Sequence, residues 1–161
     1  MLSKLTKLRE ERAKGENGFT LIELLVVVVI LGILIAIAIP LYLNYRKGAN
    51  DSAAKSDLRG AISTLEQCNS DNSTYPVVAA AVTITASGAI TGIGTTGCTQ
   101  VINLSSGTSL AYKSAATTGT TASYMATTTN SNGASKYYCY NSANGGSVTS
   151  VTATSLATAT C

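Results

Sequence analysis

The 161-residue chain has no histidine, no tryptophan, one phenylalanine and two prolines. Without histidine there is no imidazole to serve as a base near neutral pH, to activate a nucleophile or to ligate a transition metal. Acidic residues stop at Asp71. Residues 72–161 therefore offer no carboxylate pair for acid–base chemistry and no oxygen cage for Ca²⁺. Basic residues thin out too, with only Lys113 and Lys136 beyond Arg59. Two cations cannot track a phosphate backbone, so direct nucleic-acid binding is not expected. None of the four cysteines forms a C-x-x-C pair, which argues against a thiolate metal site. Together these absences point away from an enzyme and from any cofactor.

The chain does possess one long apolar run, FTLIELLVVVVILGILIAIAIPLYL, from Phe19 to Leu43. As a helix it reaches roughly 37 Å, more than a hydrocarbon core of about 30 Å. A carboxylate, Glu23, interrupts it near its start. An acid in such a segment costs up to about 3 kcal/mol on insertion scales, less near a helix end. It calls for a partner. A cut between Gly18 and Phe19 would create an α-amine, largely cationic at neutral pH, about one turn away. The amine and Glu23 could also meet between staggered neighbouring helices, where a buried ion pair sets register because breaking it is costly. A plain signal-anchor helix with one tolerated acid is the simpler alternative.

Residues Lys14 to Glu23, KGENGFTLIE, decide between the two. They resemble the processing site of type IV prepilins and related pseudopilins: a short basic leader ending in glycine, then Phe-Thr-Leu-Ile-Glu and an apolar stretch. The resemblance covers about Gly18 to Leu43. It implies that a membrane-embedded prepilin peptidase and methyltransferase cuts after Gly18 and methylates Phe19. It further implies that Phe19, Thr20 and Glu23 serve assembly. Methylation keeps the amine's charge, so the ion-pair argument is unaffected.

The leader, residues 1–18, carries five basic and three acidic side chains, leaving +1 of the chain's +3 on residues 19–161. It has no apolar core and so differs from a secretory signal peptide. Its positive charge favours the cytoplasmic side, with the remainder exported. On this reading the precursor is held in the cytoplasmic membrane until the leader is removed.

Apolar periodicity continues beyond the run. Ala54, Leu58, Ala61, Ile62, Leu65 and Cys68 recur at helical spacing, with Arg46, Lys47, Asp51, Lys55 and Arg59 expected on other faces. One helix is predicted from Phe19 to Cys68: an apolar half over 19–43 and an amphipathic half over 44–68. Pro40 removes a backbone hydrogen bond and clashes near Ala36, and Gly32 is a second weak point. The resemblance implies that this stretch can melt in filaments; a simple kinked membrane helix is the alternative.

From residue 69 the composition turns to Ala, Thr, Ser and Gly. Short β-type runs are expected at Val77–Thr85, Thr99–Leu104, Leu110–Lys113, Ser123–Thr128, Lys136–Tyr140 and Val148–Ala153. Turns are expected at Ser87-Gly88, Ser106-Gly107, Asn132-Gly133 and Asn144-Gly145-Gly146. This gives an α+β fold, pilin-like: the long N-terminal helix packed on a C-terminal antiparallel sheet over 69–161. The cysteines and tyrosines argue for packing rather than a disordered stalk. Large side chains are scarce, so the core should be thin and covalent staples should matter.

Cys68, Cys98, Cys139 and Cys161 allow three pairings, which spacing alone does not resolve. Members of the resembled family often carry a disulfide loop near the C-terminus. That favours Cys139 with Cys161, leaving Cys68 with Cys98.

The resemblance implies a pilus subunit that polymerises with identical copies into a helical extracellular filament, handled by the inner-membrane pilus assembly machinery. Its closest alternative is a pseudopilin of a type II secretion or DNA-uptake system; many major pseudopilins of type II secretion carry a calcium site that residues 72–161 could not supply. A membrane-anchored surface binding protein is the alternative from a different class.

Overall fold

The computed structural model describes residues 18–78, 80–89, 98–115 and 123–161. Residues 1–17 of the leader lie outside the described residues, and its last residue, Gly18, is described. The rest falls into two units, divided between Tyr42 and Leu43.

A single helix, α1, spans Leu21–Asn72 and continues through Pro40. Its N-terminal part belongs to the first unit. Every large apolar side chain from Phe19 to Tyr42 is exposed there, Phe19 at 86%. By length and composition the helix is long and apolar enough to cross a membrane.

Helix α1 runs one turn past the expected end at Cys68. The Asn72 side-chain amide donates to the Cys68 carbonyl at 3.0 Å, satisfying one of the acceptors a helix end leaves open. Ser73 then adopts a left-handed conformation, φ 56°, and stops the helix.

Among its described residues the second unit contains the remainder of α1 and seven strands: β1 Val82–Ile84, β2 Gly88–Ala89, β3 Val101–Ile102, β4 Thr108–Ala115, β5 Ser123–Asn130, β6 Tyr137–Asn141 and β7 Thr149–Val151. Five form an antiparallel sheet in the order β1-β4-β5-β6-β7. Strands β2 and β3 pair separately, in the connection between β1 and β4. All six expected β runs contain a strand. Gly88, expected in a turn, instead pairs with Ile102 in this small second sheet.

The α1 stripe and one sheet face form the core: Ala54, Leu58, Ala61, Leu65 and Cys68 meet Ile102, Leu110, Tyr112, Tyr124, Ala126 and Tyr138. Period-2 alternation puts Leu110 and Tyr112 on this face, and the register aligns them with Thr128 and Ala126 of β5. Fully burying a leucine such as Leu58 or Leu65 stabilises by about 2–3 kcal/mol. Large aliphatics are few, and tyrosines fill the gaps. The ring of Tyr124 lies 4.8 Å from Tyr75, 5.8 Å from Tyr112 and 5.7 Å from Tyr140 by centroid.

Asp51 corrects the expected stripe. It lies on the core face, 3% exposed, rather than among the outward polar residues. Residues 51, 54, 58, 61, 65 and 68 alternate steps of three and four, so its position is that of the stripe. Ile62 is only partly buried at the margin.

On the opposite sheet face, Ala111, Thr127 and Cys139 form one cross-strand row, and all are buried. The Cys139–Cys161 disulfide brings the C-terminal tail to this row, where Ala159 is also buried. The second disulfide joins Cys68 at the end of α1 to Cys98 ahead of β3, with Cα atoms 5.5 Å apart.

Candidate processing and assembly site

Gly18, Phe19 and Thr20 precede α1 in non-helical conformation, and Thr20 caps it. The Glu23 amide donates to Thr20 Oγ1 at 3.3 Å. In return, Glu23 Oε2 accepts from the Thr20 amide at 2.8 Å and the Thr20 hydroxyl at 2.7 Å. This reciprocal arrangement is a capping box, and it satisfies donors that a helix start leaves without partners. The Thr-x-x-Glu spacing carries that signal in the sequence, but the expectation there assigned Glu23 only an amine partner. The structure gives it a local partner as well.

A Cβ built on Gly18 meets nothing within 4 Å, and the same holds at Gly32. Among the described residues, nothing packs against Gly18 that would require a glycine there. Gly133 is the opposite case: a Cβ there would run into the Asp51 carboxylate.

The four acidic residues of α1 beyond Glu23 all accept hydrogen bonds from the β-rich part. Asp51 Oδ1 takes the Ala134 amide at 3.0 Å, and its Oδ2 lies 3.8 Å from the Lys136 ammonium. Asp57 holds the Ser105 amide at 2.8 Å and the Ser105 hydroxyl at 3.0 Å. Glu66 accepts from the phenols of Tyr75 at 2.7 Å and Tyr124 at 2.9 Å. Asp71 takes the Gln100 side-chain amide at 2.7 Å. Hydrogen bonds to charged groups are worth about 1.5–3 kcal/mol each when buried and well made, and less where exposed, as at Asp57 and Asp71, so this row fastens the helix to the turns and strands of the β-rich part. Burial, reinforced by the Glu66 carboxylate, pushes the Tyr75 phenol up to about 12. Burial likewise raises Tyr124, with Glu66 adding to it, and Tyr112. The residues are collected at the junction of the helix with the β-rich part.

The first unit thus presents a capped helix start leading into an apolar stretch with no cover of its own. Residues 13–39 match the family profile described as the prokaryotic N-terminal methylation motif. The chain carries the N-terminal signature of pilins and pseudopilins. It is 43% identical over 63 residues to the type II secretion system core protein G of Pseudomonas aeruginosa, covering 39% of this chain and 44% of that protein. It is 44% identical over 62 residues to the type IV wide pilus major component PilA4 of Thermus thermophilus, covering 38% and 47%. The type IV major pilin protein PilA of Myxococcus xanthus is 41% identical over 69 residues, covering 42% and 31%. In each case the match spans less than half of the relative. No solved structure matches the chain.

Proposed function

We propose that this chain is a structural, non-enzymatic subunit of a type IV pilus, cleaved after Gly18, methylated at Phe19 and polymerised through residues 19–43. The observation that carries this reading is the pairing of the methylation motif with an apolar helical stretch exposed along its length. Such a stretch is soluble only in a bilayer or against other copies of itself, and leader removal frees it to pass from the first to the second. As a precursor the chain sits in the cytoplasmic membrane; once assembled it is extracellular. The prepilin peptidase, the assembly machinery and identical copies are its partners. Gly32 and Pro40 are the points at which α1 would yield in a filament.

A pseudopilin of a type II secretion system is the second reading, favoured by the likeness to core protein G. The absence of acidic residues after Asp71 supports the pilus instead, as does the engagement of Asp51, Asp57, Glu66 and Asp71 by protein donors. Mass spectrometry of sheared, purified surface filaments tests the proposal. This chain should be their bulk component and begin at Phe19 with one added methyl. Leader residues in the filaments would refute the cleavage site. If deleting the gene stops protein secretion and leaves surface filaments intact, the pseudopilin reading replaces the pilus.

A further inference from the structure

Where the apolar run of α1 ends, its surface changes character. Counting about 20 residues from Leu21 brings the edge of the hydrocarbon to the region of Pro40 to Leu43. Tyr42 lies within this region and Tyr45 follows it, both exposed, at the level where tyrosines favour the membrane–water boundary. Next come Arg46 and Lys47, the first basic residues after the leader. Leu43, Arg46, Lys47 and Asn50 are spaced i, i+3, i+4 and i+7, so they share one helical face. That face and Asn132, from the β5–β6 turn, line a cleft of about 170 Å³.

The opposite wall of this cleft is fixed in advance. The Asn50 side-chain amide donates to the Asn132 carbonyl at 2.9 Å. One residue further along the turn, Gly133 packs too closely on Asp51 to accommodate a Cβ, and the Ala134 amide is held by the Asp51 carboxylate. Asp51 is thereby directed at the turn and at Lys136, and the cleft lining itself contains no acidic side chain. Two cations and two amides on a preformed wall, beside an apolar side chain, match a phosphodiester whose tail enters the bilayer.

We propose that, before assembly, this cleft binds the phosphate of an anionic phospholipid in the outer leaflet of the cytoplasmic membrane. The inference rests on the reading of residues 19–43 as a membrane segment. It adds a headgroup site that sets the depth and rotation of the subunit in the bilayer, and that must be vacated when the subunit leaves. Lys47 reaches the headgroup along its alkyl stem, and Leu43 contacts the upper acyl chain.

The test uses the full chain, isotopically labelled, in nanodiscs of phosphatidylcholine with increasing phosphatidylglycerol. The side-chain amide signals of Asn50 and Asn132 should shift and saturate as phosphatidylglycerol rises. Arg46→Gln combined with Lys47→Gln should weaken the midpoint roughly tenfold or more, at about 1 kcal/mol per basic residue near an anionic surface. Arg59→Gln, further along the same helix, should leave it unchanged, and sheet amide signals should stay in place in all variants. An equal loss with Arg59→Gln would mean general charge attraction and overturn the site. Inorganic phosphate, added in detergent without phospholipid, should not reproduce the shifts; if it does, the site takes a free anion and the lipid assignment fails. A chain that does not insert into nanodiscs overturns the membrane reading itself, whereas insertion without headgroup dependence overturns this proposal alone.

Discussion

At the level of single residues, two glycines with the same side chain have opposite structural weight. Gly133 is required by packing, because the space beside its Cα is occupied by the Asp51 carboxylate and the Asn130 carbonyl lies 3.2 Å from a built Cβ. Gly133→Ala should therefore destabilise the second unit by about 1–3 kcal/mol, the usual cost of forcing an extra carbon into a filled site. Gly18→Ala should leave stability unchanged, since no described residue comes within 4 Å of a Cβ built there. Denaturant unfolding of the full chain in detergent, followed by tyrosine fluorescence, measures both; equal effects would refute the packing argument. The tyrosines supply a pH dependence whose sign is fixed by burial. Tyr75 is raised from 10 to about 12, chiefly by desolvation and then by Glu66, so folding favours its neutral phenol. The corresponding stabilisation is complete below pH 10 and is lost as pH rises through about 12. Tyr124 and Tyr112 are shifted in the same direction. In an alkaline titration, tyrosinate absorbance of this group should rise together with loss of the sheet. Ionisation of all tyrosines near pH 10 with the fold intact would contradict it.

Secondary-structure elements were legible in the sequence to different degrees, and the reasons differ. The α1 stripe shows because burial on one face leaves a three-and-four spacing of apolar residues, and the six β runs show because branched and aromatic residues cluster between turn formers. Asp51 escaped the pattern because it occupies a stripe position with a charged side chain, and only the Ala134 amide and Lys136 explain its burial. Strand β2 was hidden because a two-residue strand containing glycine has no β signature. The partners that Asp57, Glu66 and Asp71 find outside α1 lie 9 to 58 residues away, beyond any local rule. The capping box, by contrast, was readable as Thr20-x-x-Glu23. It predicts that Thr20→Ala loosens the first turn of α1 by about 1 kcal/mol. Amide exchange at residues 21–24 in micelles should accelerate accordingly, while exchange at residues 54–65 stays the same. The disulfides act on the elements they join: one ties the end of α1 to the β3 region and the other holds the tail across β6. They close loops of sequence separation 30 and 22. Each should stabilise by roughly 3–4 kcal/mol in the chain-entropy model, so reduction should lower stability by several kcal/mol. Non-reducing peptide mapping should recover Cys68 with Cys98 and Cys139 with Cys161; any crossed pair would refute the assignment.

For the whole molecule, the central question is why an acid stands in the apolar stretch, and the capping box makes it answerable. Glu23 has two separable properties: a hydrogen-bond acceptor that serves Thr20, and a charge. Glutamine also closes a capping box, so Glu23→Gln removes the charge while leaving the helix start largely in place. Thr20→Ala does the reverse, removing the hydroxyl while the carboxylate remains. If Glu23 exists to start the helix, Thr20→Ala should impair assembly more than Glu23→Gln. If it exists to meet the Phe19 amine of an incoming subunit, Glu23→Gln should be cleaved normally, since Gly18 and Phe19 are untouched, and should enter the bilayer more readily. Its filament yield should nonetheless collapse, because docking would bury an unpaired cation at a cost of about 3–5 kcal/mol. The measurement compares processed subunit in the membrane with subunit in sheared filaments for both variants. We expect the charge to dominate: Thr20→Ala assembling at a reduced level, Glu23→Gln accumulating in the membrane. Glu23→Gln filaments at wild-type yield would leave the carboxylate with a local capping role and remove the ion pair from the assembly mechanism.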